Sequence, residues 1–222
     1  MWSHQEARQT IKARLRSRSL IFGGWTSLAH PSITEIFTHA ELDVIGIDLE
    51  HGTCSHEQAQ QIIAVAQAGG AACLPRIASH NGEHIKRLLD SGADGIIVPN
   101  VSTRAEVEQI VAWSKYPPLG HRSYGVSRAQ GYGMGFETYT ATWNARSVVL
   151  IQIESVEGAE AANDLLAHPE IDGAMIGPYD LSASFGVPGQ FEHPGVKRAI
   201  RAIREAGVRL KKPGGMHVIE PN

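Results

Sequence analysis

Val149-Leu150-Ile151-Gln152-Ile153-Glu154 is an aliphatic run that ends in a carboxylate, and Ile176-Gly177-Pro178-Tyr179-Asp180-Leu181-Ser182 carries a second carboxylate 26 positions after the first. An apolar run of about five residues reads as a buried strand. A carboxylate just past the C-terminal tip of such a strand lies where barrels and open α/β sheets place their chemistry. Glu154 and Asp180 on neighbouring tips would repel each other, unless a hard divalent cation with a preference for oxygen lay between them.

Outward from this pair, the same alternation runs along the chain. Candidate strands are Leu20–Trp25, Val44–Leu49, Ala71–Pro75, Gly95–Val98, Val148–Ile153, Gly173–Ile176 and Gly214–Ile219. Helical patterns over Pro31–Ala40, Ser55–Ala68, Gly82–Ser91, Ala105–Ser114, Gly158–Ala167 and Pro194–Ala206 fall between them. Ser55 is placed as an N-cap, and Gly69-Gly70 closes that helix. Strand and helix in alternation with short connections predict parallel strands and right-handed crossovers. Most steps are roughly 23 to 28 residues, the length of a (β/α) repeat. The expectation is an α/β fold, a (β/α)8 TIM barrel in a single domain over residues 1–222. Seven strands are read, so the last strand and helix of eight are missing from the count. Two steps are longer, and they contain Tyr116–Gly125 and Ser184–Pro194. Extended loops after strands are where such folds put substrate contacts, and Arg128 stands near the first of them.

The composition narrows the class. The 222 residues carry a formal net charge of −3, so there is no basic field for nucleic acid or an acidic membrane. No apolar stretch reaches the roughly 18 residues of a membrane span. The N-terminal segment lacks the apolar core of a signal peptide and reads as a helix with Ser3 and Glu6 in capping-box spacing, so a cytoplasmic location is expected. Two separate cysteines, Cys54 and Cys73, suggest no disulfide framework.

Other strand tips are rich in chemistry. Asp48-Leu49-Glu50-His51-Gly52 puts three ionisable groups within four residues, which is costly to bury without partners. His51 there is a candidate general base held by a nearby carboxylate; the alternative is a charged surface loop. Leu74-Pro75-Arg76 presents a guanidinium that either polarises a carbonyl or forms a structural salt bridge. Asp90, after two leucines at a helix end, is a candidate partner for His51. The turn at Gly177–Ser182 offers backbone N–H groups to a carboxylate.

Together Asp48–Gly52, Pro75-Arg76, Gly92–Pro99, Tyr116–Arg122, Gln152–Glu154 and Gly177–Ser182 resemble the HpcH/HpaI aldolase family, the metal-dependent pyruvate aldolases related to citrate lyase β-subunits. The resemblance runs from about residue 20 to the end. It implies Glu154 and Asp180 as metal ligands for Mg²⁺, Mn²⁺ or Co²⁺. It implies His51 as the base with Asp90 as its partner, and Arg76 as the group that stabilises an enolate. Substrate contacts would come from Arg76, Gln152 and the Tyr179 and Asp180 amides. The implied reaction is reversible retro-aldol cleavage of a 4-hydroxy-2-oxo acid to pyruvate and an aldehyde, by a trimer or hexamer of identical chains. By the resemblance, members of the family usually continue about 30 residues or more past this point. A citrate-synthase-like or CoA-ester condensation through the same enolate, and a catalytically impaired 2-oxo-acid-binding homologue, stand as alternatives.

Overall fold

In a computed structural model, residues 10–218 are described, and the expected Ser3/Glu6 capping box lies outside them. The first helix there, α1 (Ile11–Ser17), is capped by Thr10. The elements then run β1 (Gly23–Thr26), α2 (Pro31–His39), β2 (Val44–Ile47), α3 (His56–Ala68), β3 (Ala72–Cys73), α4 (Gly82–Asp90), β4 (Gly95–Val98) and α5 (Arg104–Ser114). After a 3-10 turn come α6 (Phe136–Arg146), β5 (Val148–Ile153), α7 (Val156–Leu166), β6 (Gly173–Ile176), α8 (Pro178–Ser184), α9 (Pro194–Leu210) and β7 (Gly214–Met216). Ser55, Thr103 and Ser155 cap the helices that follow β2, β4 and β5. Ser55 and Thr103 form full capping boxes with Gln58 and Glu106, each satisfying backbone donors that a helix start leaves open.

All strand pairs are parallel and spatial order follows chain order, β1-β2-β3 and β4-β5-β6-β7. The two sheets meet at Arg76, which bridges Asp48 on one side and Ile97 on the other. Strand β3 is short because Pro75 has no N–H for the ladder, although its carbonyl still accepts from Ile97 N at 2.9 Å. Among the described residues no pairing joins β7 to β1; the Trp25 and His217 side chains meet there with ring centroids 5.1 Å apart.

Side chains alternate faces along a strand, and this divides the core in two. Ile45, Ile47, Cys73, Ile96, Val98, Val149, Ile151, Ile153, Ala174 and Ile176 face outward into the cluster shared with the helices. Val44, Leu74, Ile97, Val148 and Leu150 face inward, where Ile11 and Leu15 of α1 close the N-terminal end. The same period carries the inward face of each strand upward, from Val44 to Asp48, from Leu74 to Arg76, and from Leu150 to Gln152 and Glu154. The inner face is therefore apolar at the N-terminal ends and polar at the C-terminal tips.

Two helices stand where the residue pattern predicts a loop or turn. Helix α6 has no side-chain cap and buries only Tyr139 and Trp143, too sparse a stripe to stand out among its threonines. Helix α8 starts with Pro178 at its first position and spans 7 residues.

Candidate active site

The C-terminal tips of β2 and β5, with the bridge residue Arg76, bring the polar groups together. Arg76 and Asp48 are both buried, and they form a two-pronged pair, Nη2 to Oδ2 at 2.9 Å and Nε to Oδ1 at 3.2 Å. Asp48 Oδ1 also accepts from the Glu50 and His51 amides at 3.1 Å each. Burial alone would raise the Asp48 pKa; the His51 amide and Arg76 outweigh it and hold the carboxyl below its ordinary range. The guanidinium also lies over the Trp25 ring, 5.0 Å from its centroid.

The remaining Arg76 nitrogen, Nη1, faces Gln152 Oε1 at 3.4 Å and Glu50 Oε2 at 3.0 Å. The Glu50 contact is off-axis, so this buried oxygen has no hydrogen bond. Gln152 in turn donates from Nε2 to Glu154 Oε2, and Glu154 Oε1 accepts from the Asn100 amide at 2.7 Å. Burial raises the pKa of Glu154, and the charges of Glu50 and Asp180 add to it against the Asn100 and Gln152 bonds. Burial likewise raises Glu50, with Arg76 and His51 opposing and Asp48 and Asp180 adding. Glu50, Glu154 and Asp180 thus share one field, and Arg76 is the cation paired with Glu50.

This donor set fits a hard cation. The oxygens are all carboxylate, two of the groups hold raised pKa values partly through mutual repulsion, and a buried oxygen lacks a donor. Among the described residues no three acidic, histidine or cysteine side chains converge closely enough to hold an ion by themselves. Two protein carboxylates, with further positions left to substrate oxygens and water, is the way hard cations are often held in enzymes.

The expected residues fall out unevenly. His51 lies on the same tip, its side chain 68% exposed and its Nε2 3.9 Å from Glu50 Oε2. The carboxylate beside it is Glu50 rather than Asp90. Asp90 ends α4 and pairs with Arg122, Nη2 to Oδ1 at 2.6 Å, near the N-terminal ends of the strands. A helix that follows a parallel strand runs back antiparallel to it, so its C-terminal end cannot reach the tips in the same chain. Arg128 is at that end as well, donating to Gln67 Oε1 and the Ser91 carbonyl at 2.9 Å each. The Tyr116–Gly125 loop is anchored by the stacked rings of Tyr116 and Tyr124, with centroids 4.4 Å apart. The Tyr179 and Asp180 amides stand in the first turn of α8, ahead of its first internal bond, Leu181 N to Gly177 O at 2.9 Å.

The pattern assigns no individual role to Asp48 or Glu50; the density of charge on one tip is their only signal. The Asn100 amide carried no signal at all, since any residue type has one.

The profile of the family described as HpcH/HpaI aldolase/citrate lyase matches residues 22–213. The chain belongs to the HpcH/HpaI aldolase/citrate lyase family. It is 34% identical over 207 residues to the 5-keto-4-deoxy-D-glucarate aldolase of Escherichia coli O139:H28 (strain E24377A / ETEC), spanning 93% of this chain and 80% of that relative. The crystal structure of an HpcH/HpaI aldolase from Desulfitobacterium hafniense DCB-2 superposes with a TM-score of 0.88 at 28% identity, covering 96% of this chain and 83% of that one. The citrate synthase SbnG superposes with a TM-score of 0.84 at 30% identity, covering 95% and 82%. Among the described residues no helix is long and apolar enough to cross a membrane.

Proposed function

We propose that this chain is a cytoplasmic, homo-oligomeric, metal-dependent aldolase with a (β/α)8 barrel fold. It would cleave a 4-hydroxy-2-oxo acid reversibly to pyruvate and an aldehyde. The observation that carries this reading is the linked row Asp48–Arg76–Gln152–Glu154 across the strand tips, with Glu50 paired to Arg76 Nη1. Membership of the aldolase/citrate lyase family and the likeness to the Escherichia coli aldolase support it.

Glu154 and Asp180 would hold Mg²⁺, Mn²⁺ or Co²⁺, which when bound supplies Lewis-acid stabilisation of charge developing on the 2-oxo oxygen. The protein's own groups do the rest. Arg76 is oriented by Asp48 through Nε and Nη2, and Nη1, which Asp48 does not engage, is the donor left to face the 2-oxo acid. Gln152 fixes both Arg76 and Glu154. The Tyr179 and Asp180 amides suit the substrate carboxylate. In cleavage, His51 takes the proton of the 4-hydroxyl, directly or through a water, as the C3–C4 bond breaks. The bonding pair passes toward the 2-oxo oxygen, the aldehyde leaves, and a proton added at C3 completes pyruvate.

No lysine is needed. Lys12 and Lys115, the buried lysines among the described residues, both hydrogen-bond Ser147 just ahead of β5, about 20 Å of strand away from Glu154 at some 3.3 Å per residue.

The test is pyruvate release from a panel of 4-hydroxy-2-oxo acids, with and without added Mg²⁺, Mn²⁺ or Co²⁺. Glu154→Ala and Asp180→Ala should each abolish it; turnover that survives in both variants with chelator present sinks the metal mechanism. The likeness to a citrate synthase favours a second reading, in which the same enolate chemistry, run on a CoA ester, attacks a ketone acceptor. Pyruvate release from none of the panel, with condensation of acetyl-CoA onto oxaloacetate and release of CoA instead, would select it.

A further inference from the structure

Gly177 joins β6 to α8 with φ −92° and ψ 89°. Its φ lies on the negative side that L residues ordinarily occupy, so left-handed backbone does not call for glycine here. Space does. A Cβ at this position would stand 2.4 Å from Glu154 Oε2, 3.0 Å from Gln152 Nε2 and 3.0 Å from Glu154 Cβ. The first distance is far inside van der Waals contact. Gly177 occupies the inward-facing register of β6, next to the inward Gln152 and Glu154 of β5, because Met175 is the residue of β6 that packs on the inner cluster.

We propose that Gly177 is a positioning residue for Glu154, and that its missing side chain is the slot in which the Glu154 carboxylate is parked. This rests on the reading of Glu154 as a metal ligand. One carboxylate oxygen is fixed by the Asn100 amide at 2.7 Å and the other by Gln152 Nε2. The third boundary is the Gly177 backbone. A methyl group added there meets mainly the movable ends of two side chains, so the strand and helix can stay in place while the carboxylate moves. Helix α8 keeps its first bond, Leu181 N to Gly177 O, because alanine retains the carbonyl.

The test is binding of Mn²⁺ to the metal-free full chain, followed by the electron paramagnetic resonance of free Mn²⁺, with thermal unfolding alongside. Gly177→Ala should weaken Mn²⁺ at least tenfold and leave the unfolding temperature nearly unchanged. Glu154→Asp withdraws the carboxylate by one methylene. Alone it should weaken Mn²⁺, and in the Gly177→Ala background it should recover part of the lost affinity. Wild-type protein that binds no Mn²⁺, or binds it undiminished in Glu154→Ala, overturns the ligand reading itself. Binding that depends on Glu154 yet is unchanged in Gly177→Ala overturns the role of Gly177. So does a Gly177→Ala chain that fails to fold, since the slot would then serve packing rather than the ligand.

Discussion

Arg76 is held by Asp48 through two parallel contacts, at 2.9 and 3.2 Å, with both side chains buried. A fork-to-carboxylate pair fixes the plane of the guanidinium as well as its position, which leaves Nη1 aimed past Gln152 into the site. Asp48→Asn keeps the shape and removes the charge. Breaking a buried pair from one side costs about 3–5 kcal/mol, so the unfolding temperature should fall. With Arg76 no longer fixed, kcat should fall on the order of a hundredfold. Arg76→Lys should lose a similar factor, because an ammonium cannot reproduce the fork. Steady-state kinetics beside thermal unfolding checks this. An Asp48→Asn enzyme of normal kcat and lowered stability would reduce the pair to a structural salt bridge.

His51 stands at the exposed rim and Arg76 at the buried floor, which separates the two halves of the reaction. His51→Ala should slow aldol cleavage by roughly 10²- to 10⁴-fold. Exchange of the pyruvate methyl protons with deuterated water, which needs the enolate but no 4-hydroxyl, should be affected less. Stability should hardly change, since the side chain is largely in solvent. Equal loss in cleavage and exchange would remove His51 from its assigned role.

The strands that the sequence defines best are the ones buried on both faces. Gly95–Val98, Val148–Ile153 and Gly173–Ile176 are found at the bounds their apolar runs predict, because a strand covered on both sides is apolar nearly throughout, Gln152 at the site being the exception. The first strand shifts from Leu20–Trp25 to Gly23–Thr26, with Leu20 and Phe22 exposed. It pairs on one side only, so apolar content there does not report pairing. The site divides in the same way. Glu154, Arg76 and His51 are legible as charge at the end of an apolar run. The partner of a charge is not, because it is chosen in three dimensions. Asp90 finds Arg122 from across the Pro117–Gly120 loop, and Glu154 finds the amide of Asn100.

Asp90 tests that difference directly. Arg122 is enclosed by the rings of Tyr116, Tyr139 and Trp143, 4.9, 5.5 and 4.6 Å from their centroids, and Asp90 is the carboxylate paired with it. Asp90→Asn leaves a buried guanidinium without its counter-charge, at a cost of about 3 kcal/mol. The expected outcome is a lower unfolding temperature with kcat within a few-fold of wild type when assayed well below that temperature. A variant of normal stability with its kcat abolished would return Asp90 to the chemistry.

Lys115 gives the chain a distinctive response to alkaline pH. Burial, and Lys12 nearby, push its pKa down to about 8 against the opposing pull of Asp172 and Glu170. In the unfolded chain it titrates near 10.4. Below about 8 both states hold the proton and the group adds no pH dependence. Between about 8 and 10.4 the unfolded state holds more protons, so this residue makes stability rise with pH, by about 3 kcal/mol across the window. Lys212 is shifted in the same direction, so the contribution of Lys115 is read as a difference. Chemical denaturation of wild type and Lys115→Met, compared at pH 7.5, 8.5 and 9.5, should show the gap between them changing in favour of wild type as pH rises. The variant loses the bonds to Ser147, Asn144 and Glu170 at every pH, which lowers its curve without tilting it. Parallel curves would mean that Lys115 keeps an ordinary affinity for its proton in the folded chain.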